Sequence, residues 1–200
     1  MDPAYRLLTE DAASRGLRLI GYVATDYARR PPGQVEAEID RWIKFYPRVR
    51  GFFFDQQSPL DREVEYYVAL REHARRRMKD ALIITNPGSI CEKAYFARGV
   101  SDAICVFANP QGFRQFEPPA PLPPFGDTRI AALVTNILDE AAMRTVVRDA
   151  IAKGIRYLYV GDSPPAPNPY AHLPAYWDQL VKEVASRNEP SGRKQEIKPH

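Results

Sequence analysis

Short apolar runs alternate along this chain with longer segments in which apolar residues recur every three or four positions. Six of these runs are rich in β-branched and aromatic side chains, which is typical of strands buried on both faces, as in a parallel sheet. The runs lie at residues 19–23, 51–54, 82–84, 103–107, 130–134 and 157–160. The sequence therefore predicts six parallel strands.

The segments between the runs have the period of amphipathic helices. Helices are predicted at about 5–15, 35–46, 61–79 and 143–151, and from about Pro174 onward. Because strand and helix alternate throughout, we expect an α/β fold with right-handed crossovers. Residues 1–186 are predicted to form a single domain. Five prolines within 118–124 predict a stiff extended loop, and the polar residues 187–200 predict a disordered tail.

Each apolar run is followed by a carboxylate, amide or hydroxyl side chain. These groups include Asp55 and Gln56 after the second run, Asn86, Asn109 and Asp162. The carboxyl ends of parallel strands meet at one edge of the sheet, where ligands bind. The repetition therefore predicts a site assembled from several loops, although strands of any kind tend to end where polarity begins.

Six strands are fewer than a closed β/α barrel needs, which is eight strands in about 250 residues. An open doubly wound sheet accommodates six strands, but the glycine-rich first turn typical of that fold is absent from the sequence. A barrel without two strands leaves sheet edges unpaired, which soluble proteins avoid. We therefore expect that a partner chain covers the edges, a homo-oligomer being one such case, or that the gene begins upstream of Met1.

The composition and charge are those of an ordinary globular protein. The 200 residues are 44% hydrophobic, and the net charge of +3 requires no anionic partner. A basic run at 75–79 falls at the end of a predicted helix, where we expect it to face water. No nucleic-acid motif accompanies this run, so no nucleic-acid partner is predicted.

No cofactor, metal or membrane partner is expected from the sequence. Cys91 and Cys105 do not make a disulfide framework, although a bridge between them stays open, and His73, His172 and His200 lack the spacing of metal ligands. No apolar run reaches the roughly 20 residues of a membrane span, and the first residues lack the features of a signal peptide. The chain as written is expected to be soluble and cytoplasmic, or secreted if its true start lies upstream.

Several ordered motifs resemble the spherulation-specific (spherulin-4-like) family. They are GYVATDY at 21–27, residues 35–42, GFFFD at 51–55, NPG at 86–88, residues 102–107, YLYV at 157–160, NPY at 168–170 and LPAYW at 173–177. The resemblance covers about residues 3–185 and implies a (β/α)8 TIM-barrel fold. Family members carry a further strand and an Asn-Pro-x-Ser-Gly-Pro-Gly-type loop before the matched segment. The resemblance thus implies that the first two strands are missing here.

The resemblance also implies carbohydrate chemistry, since some members hydrolyse α-1,4-linked galactosamine-containing polysaccharides. Two family positions that usually hold Glu hold Gln56 and Ala108 here. Glycoside hydrolysis generally needs two carboxyl groups, and an amide cannot replace either of them. Asp55 is therefore the predicted catalytic carboxylate and Asp162 its partner, with Asp26 a weaker candidate that a turn role would also explain.

The substrate-binding candidates are side chains able to stack on a sugar or to hydrogen-bond with it: Tyr22, Gln56, Asn86, Asn109 and Tyr170. Asn86 before Pro87 has a second interpretation as a turn residue. The predicted function is that of a glycoside hydrolase acting on an amino-sugar polysaccharide, impaired by the loss of the two Glu positions. The alternatives are a non-catalytic carbohydrate-binding relative and a barrel fragment completed by a partner chain.

Overall fold

The protein is an α/β fold with six parallel strands. The computed structural model describes residues 2–118 and 128–188. The strands are β1 Gly21–Ala24, β2 Gly51–Asp55, β3 Leu82–Asn86, β4 Ala103–Asn109, β5 Arg129–Val134 and β6 Tyr157–Val160. The helices are α1 Pro3–Ser14, α2 Pro32–Phe45, α3 Val64–Arg77, α4 Lys93–Ala97, α5 Glu140–Ala152 and α6 Trp177–Asn188.

The strands lie in the sheet in the same order as in the sequence, from β1 to β6, and every neighbouring pair is parallel. This is the strand order of a TIM-type barrel, so the predicted fold class is confirmed. Within the described residues, β1 pairs only with β2 and β6 only with β5, which leaves one open edge at each end of the sheet.

Two hydrophobic clusters join one face of the sheet to the helices. The first contains Phe52, Phe54 and Ile83 beneath α2 and α3, and the second contains Ile104 and Ile130 beneath the later helices. The residues that alternate with these along the strands point to the other face, because side-chain direction in a strand has a period of two. This second face is called the inner face below.

The inner face is only partly buried. Tyr22 on β1 is 52% exposed and Tyr157 on β6 is 40% exposed. Tyr22 stacks on Phe53 of β2, with 6.4 Å between the ring centroids. The interior of a closed barrel is a packed core, whereas the inner face of this sheet is partly exposed to solvent.

Gly51 at the start of β2 is required by the approach of β3. A Cβ atom at this position would lie 2.0 Å from the backbone oxygen of Leu82, a distance that no side chain tolerates. The glycine therefore allows the register in which Gly51 pairs with Leu82 and Asp55 pairs with Asn86.

Several element boundaries differ from the prediction. The helix predicted at 61–79 is a 3-10 turn at Asp61–Glu63 followed by α3, and the short helix α4 was not predicted. The last helix starts at Trp177, whose amide donates to the Pro174 carbonyl. The prediction of a tail from residue 187 is wrong for residues 187 and 188, which continue α6. Residues 189–200 and 119–127, with most of the predicted proline loop, lie outside the described residues.

The cysteines and His73 have structural positions. Cys91 and Cys105 are both free and buried, so no bridge joins them. His73 is buried between α3 and α2, where its Nε2 lies 3.0 Å from Asp40 Oδ1. In the part of the chain that is described, no helix is long and apolar enough to cross a membrane.

Candidate functional site

Asp55 and Asn86 end neighbouring strands and are in direct contact. The pairing of β2 with β3 places the two residues side by side at the carboxyl edge of the sheet. The side-chain amide of Asn86 donates to Asp55 Oδ1 at 2.8 Å. On the other side, the hydroxyl of Tyr22 donates to Asp55 Oδ2, also at 2.8 Å. Both oxygens of the carboxylate therefore accept from neutral donors.

Tyr22 stays a proton donor at neutral pH. Burial, followed by the hydrogen bond to Asp55, raises the pKa of Tyr22 to about 12. The hydroxyl therefore keeps its proton over the physiological range. The Tyr22 side chain is nevertheless half exposed, so its ring and hydroxyl remain accessible to a ligand.

The side chain of Asn86 has two roles at once. Its Oδ1 accepts from the amide of Gly88 at 2.9 Å, and Gly88 has a φ of 68°, so the turn interpretation is correct. Its Nδ2 binds Asp55. The turn thus fixes the orientation of the amide that faces the carboxylate.

Ala108 lies beside this turn. The Ala108 amide donates to the Gly88 carbonyl at 3.3 Å, and a Cβ atom on Gly88 would be 3.8 Å from Ala108 Cβ. A longer side chain at position 108 would therefore start next to the Asn86–Asp55 pair. Position 108 therefore lies beside the turn that carries Asn86.

The loops at the carboxyl edge hold unusual backbone conformations. Among the described residues, the non-glycine residues with positive φ are Asp26, Tyr27, Ala28, Gln56 and Asn136. All five follow the carboxyl end of β1, β2 or β5. Left-handed conformations are costly for such residues and concentrate at functional sites.

Gln56 is held in place by its backbone. Its φ is 54°, and its carbonyl accepts from Tyr27 N at 2.7 Å and from Thr25 Oγ1 at 2.8 Å. These bonds tie the loop after β1 to the loop after β2. Position 56 therefore has a fixed backbone immediately beside Asp55, whatever side chain it carries.

Asp26 is a turn residue. Its Oδ1 lies 2.5 Å from Nη2 of Arg29, and its own φ is 49°. The carboxylate is thus neutralised within its own turn, which supports the turn interpretation over a catalytic one.

Asp162 follows β6 and anchors the loop that leads to α6. Its Oδ2 accepts from the amide of Ala175 at 2.8 Å. Its Oδ1 is buried and has no hydrogen-bond partner among the described residues, and His172 Nδ1 is 3.9 Å from it. One carboxylate oxygen of Asp162 therefore stabilises the loop while the other remains unsatisfied.

Tyr170 and Tyr159 connect the loop after β6 to Asp55. Their ring centroids are 5.7 Å apart. Burial raises the pKa of Tyr170, with smaller contributions from Cys105 and then Asp55, which places this ring within electrostatic range of the Asp55 carboxylate. Burial and then the Asp162 carboxylate raise the pKa of Tyr159. The Asp55 charge therefore acts on Tyr170, and the Asp162 charge acts on Tyr159.

The predicted residues are therefore not equally close to one another. Tyr22, Asn86 and Asp55 are in direct contact. Tyr170 packs against Tyr159, and Asp162 bonds to the backbone of Ala175. Asn109 is exposed at the end of β4. We call the set Tyr22, Asp55, Asn86, Tyr159 and Tyr170 the tyrosine–carboxylate rim.

Sequence reasoning missed Tyr159 and Cys105. Cys105 lies beneath the rim, where burial raises the pKa of its thiol to about 12 and the Asp55 charge adds to the effect. Tyr159 alternates with Leu158 and Val160, which pack in the core, so alternation along β6 could have assigned it to the inner face. Cys105 is itself fully buried in the continuous apolar run of β4, where no alternation marks it.

A chain of Asp162, His172 and Ser163 runs next to the rim. Ser163 Oγ is 3.2 Å from His172 Nε2, but the hydroxyl is almost completely buried and His172 Nδ1 lies 3.1 Å from the Leu173 carbonyl oxygen. A nucleophile must reach its substrate, so this chain stabilises the loop. No group of three His, Cys, Asp or Glu side chains within the described ranges could hold a metal ion.

The parallel strands in barrel order define the class as a β/α-barrel-type protein. A carboxylate, an amide and tyrosines form a polar cluster at the carboxyl edge of its sheet. The sequence model of spherulation-specific family 4 matches residues 3–184, and the chain belongs to this family.

Two known proteins illustrate the relationship. Spherulin-4 of Physarum polycephalum is 31% identical over 106 residues, which cover 53% of this chain and 31% of that protein. The match therefore spans less than a third of that relative's length. The crystal structure of Aspergillus clavatus Sph3 in complex with GalNAc is similar with a TM-score of 0.72 at 21% identity, over 92% of this chain and 79% of that one. This similarity shows a shared fold.

Proposed function

We propose that this protein binds an amino-sugar polysaccharide at the tyrosine–carboxylate rim, and that its glycoside hydrolase activity is impaired. The observation that carries the proposal is the Asp55 carboxylate, held by Tyr22 and Asn86 at the edge where barrel enzymes bind their substrates. Exposed tyrosine rings beside a hydrogen-bonding group suit a sugar, which has both an apolar face and hydroxyls.

The charges around the rim support an amino sugar as the ligand. The carboxylates that act on Tyr22, Tyr159 and Tyr170 are Asp55 and Asp162, together with Glu38, whose charge is balanced by Arg30. The nearby cations have partners of their own, because Arg29 binds Asp26 and Arg30 binds Glu38. A negative field of this kind attracts a protonated amine.

The lost Glu positions support impaired hydrolysis. A glycosidase needs one carboxyl group to protonate the leaving oxygen and a second to act as base or nucleophile. Asp55 supplies one, while Gln56 and Ala108 supply none. Asp162 is the remaining candidate for the second, and its place just after β6, at the same carboxyl edge as Asp55, is what favours an active hydrolase as the second candidate function.

The test measures binding and cleavage of the same polymer. We expect calorimetry to detect binding of galactosamine oligosaccharides, with affinity about tenfold above that of N-acetylated oligosaccharides of equal length. Reducing-end release should be absent or very slow. Rapid release would favour the active hydrolase. If neither oligosaccharide binds, the proposal is overturned.

Asp55→Asn tests the residue that carries the proposal. The asparagine oxygen still accepts from Asn86 and its amide can donate to Tyr22, so we expect a melting temperature within about 2 °C of the wild type. Affinity for the galactosamine oligosaccharide should fall about tenfold with the lost charge. Asp26→Asn is the matched control on the same edge, and it should leave affinity unchanged. Equal effects of the two variants would remove Asp55 from the site.

A further inference from the structure

A cavity opens at the amino-terminal edge of the sheet, at the end of the strands opposite Asp55. Its volume is about 420 Å³, within the range of small-ligand pockets. It is lined by four cationic side chains, Arg18, Arg75, Lys79 and Arg129, and by two acidic ones, Asp80 and Asp102. None of these residues belongs to the tyrosine–carboxylate rim.

The four cations come from separate parts of the fold. Arg18 precedes β1, Arg75 lies in the last turn of α3, and Lys79 is in the loop before β3. Arg129 is the first residue of β5. Since the sheet brings together side chains that are distant in sequence, their convergence is a property of the tertiary structure and not of one basic segment.

The acidic side chains only partly neutralise this group. Asp102 uses both oxygens within the protein, one for Arg75 Nη2 at 2.8 Å and the other for the amide of Ile83 at 2.7 Å. Arg18 donates to a neutral acceptor, the backbone carbonyl of Asp80, at 3.2 Å. Arg18 and Lys79 form no ion pair within the described part of the chain, so their positive charges are not neutralised at the cavity.

The dipole of α3 does not account for this arrangement. Cations in the last turn of a helix complement its carbonyl end, which explains Arg75 and its exposed neighbours Arg76 and Arg77. Arg18 and Arg129 belong to other elements and are not in that turn. An anion bound in the cavity would stabilise the charges of Arg18 and Lys79, which have no ion-pair partner among the described residues.

We propose that this cavity binds a small oxyanion, a phosphate or sulfate group that is either free or carried on a small molecule. Arginine and lysine donors arranged around such a group make charge-assisted hydrogen bonds to its oxygens. The site is independent of the sugar-binding rim, so either can be correct without the other.

The test titrates the whole chain with inorganic phosphate at constant ionic strength, with chloride as the balancing anion. A ligand that binds only the folded state raises the melting temperature with concentration, so phosphate should stabilise where chloride does not. Stabilisation by inorganic sulfate would indicate a site for the free oxyanion. Stronger stabilisation by ribose 5-phosphate, with none by neutral ribose, would indicate an oxyanion carried on a small molecule. Equal stabilisation by chloride and phosphate would show general screening and overturn the site.

Variants at exposed lining residues locate the binding. Lys79→Gln and Arg18→Gln should each weaken phosphate binding about tenfold in calorimetry, because each removes one charge-assisted contact. Arg76→Gln is the matched control, since Arg76 is exposed at the same helix end and does not line the cavity. Melting temperatures without anion check that the variants are folded. Equal loss in the control and in Lys79→Gln would contradict the assignment.

Discussion

At the scale of single residues, the two predicted acids have different surroundings. Asp55 accepts hydrogen bonds from two side chains, Tyr22 and Asn86, both of which belong to the rim. Asp162 accepts from the backbone of Ala175 and holds a loop in place. The environment therefore separates a carboxylate held by side chains of the two neighbouring strands from one that anchors a loop, although both follow a strand in the same way.

Replacing Tyr22 with phenylalanine should change stability at alkaline pH. The pKa of Tyr22 is raised, chiefly by burial, from 10.0 to about 12, so the folded state is favoured below pH 10 and loses this contribution as the pH rises to about 12. Over this pH interval the Tyr22→Phe variant should lose about 1 kcal/mol less stability than the wild type. This figure allows for solvent screening of a half-exposed side chain. Urea unfolding at pH 9 and pH 11 measures the difference.

Tyr27→Phe is the control for this pH effect, because Tyr27 is similarly exposed at the same edge and its ring contact is with Arg29. Identical pH dependence in the two variants and in the wild type would show that folding does not raise the pKa of Tyr22.

The family's carboxyl groups should be restorable in this backbone. Gln56 already has a fixed backbone beside Asp55, and Ala108 starts next to the Asn86 turn. In the double variant Gln56→Glu/Ala108→Glu, we expect reducing-end release from a galactosamine-containing polymer to rise at least tenfold above wild type. The control variant Gln34→Glu, which adds a charge on α2, should show the same reducing-end release as the wild type. No gain in the double variant would mean that the lost Glu residues do not explain the impairment.

At the scale of elements, the site depends on the register between β2 and β3. A shift of one residue would turn Asp55 and Asn86 to opposite faces, because side chains alternate along a strand. The register is fixed by Gly51, where β3 passes too close for any side chain, and by the pairing of Phe53 with Ile84 on the inner face.

Gly51→Ala should therefore destabilise the sheet. The new Cβ would lie 2.0 Å from a backbone oxygen, so the strands must separate, and we expect a loss of about 2–4 kcal/mol in the free energy of unfolding. Gly33→Ala is the matched control in α2, where a Cβ would meet nothing within 4 Å, and it should stabilise by about 0.5 kcal/mol. Chemical denaturation measures both, and similar effects would contradict the close approach of β3.

At the scale of the molecule, the described sheet is open at both edges. Helix α1 attaches to α2 through Tyr5, whose ring lies 5.2 Å from Tyr46 and 6.1 Å from Trp42. Leu7 and Leu8 of the same helix are 68% and 61% exposed. Unpaired sheet edges and exposed apolar side chains are each typical of surfaces that associate.

The expectation that a second copy covers these edges remains a prediction. Sedimentation velocity across a range of concentrations should show a dimer or larger species. Leu8→Glu should shift the distribution towards the monomer, since it places a charge on the exposed apolar surface. Glu10→Gln, on the same helix, provides a control that leaves the apolar surface intact. A monomer at all concentrations would overturn the expectation.

Much of the fold could be predicted because apolar periodicity reports local structure. Buried runs such as Gly51–Asp55 and Ala103–Asn109 stand out from the helices on either side, and their spacing indicated parallel strands. The short helix α4 and the division of the helix at 61–77 were not predictable, because a few residues carry too little periodicity. The family motifs indicated Asp55 and Asn86. They did not indicate which of the two predicted acids is hydrogen-bonded to the backbone of a loop.

The sequence by itself determined the class of fold, the family and the positions of the polar side chains, because burial patterns and motifs are local properties of the chain. Only the tertiary structure decided that Tyr22 and Asn86 both bind Asp55, that Asp162 anchors a loop, and that Arg18 and Arg129 converge with Arg75 and Lys79 on one cavity. These are contacts between strands, and their geometry follows from sheet register and strand order, which no single segment specifies.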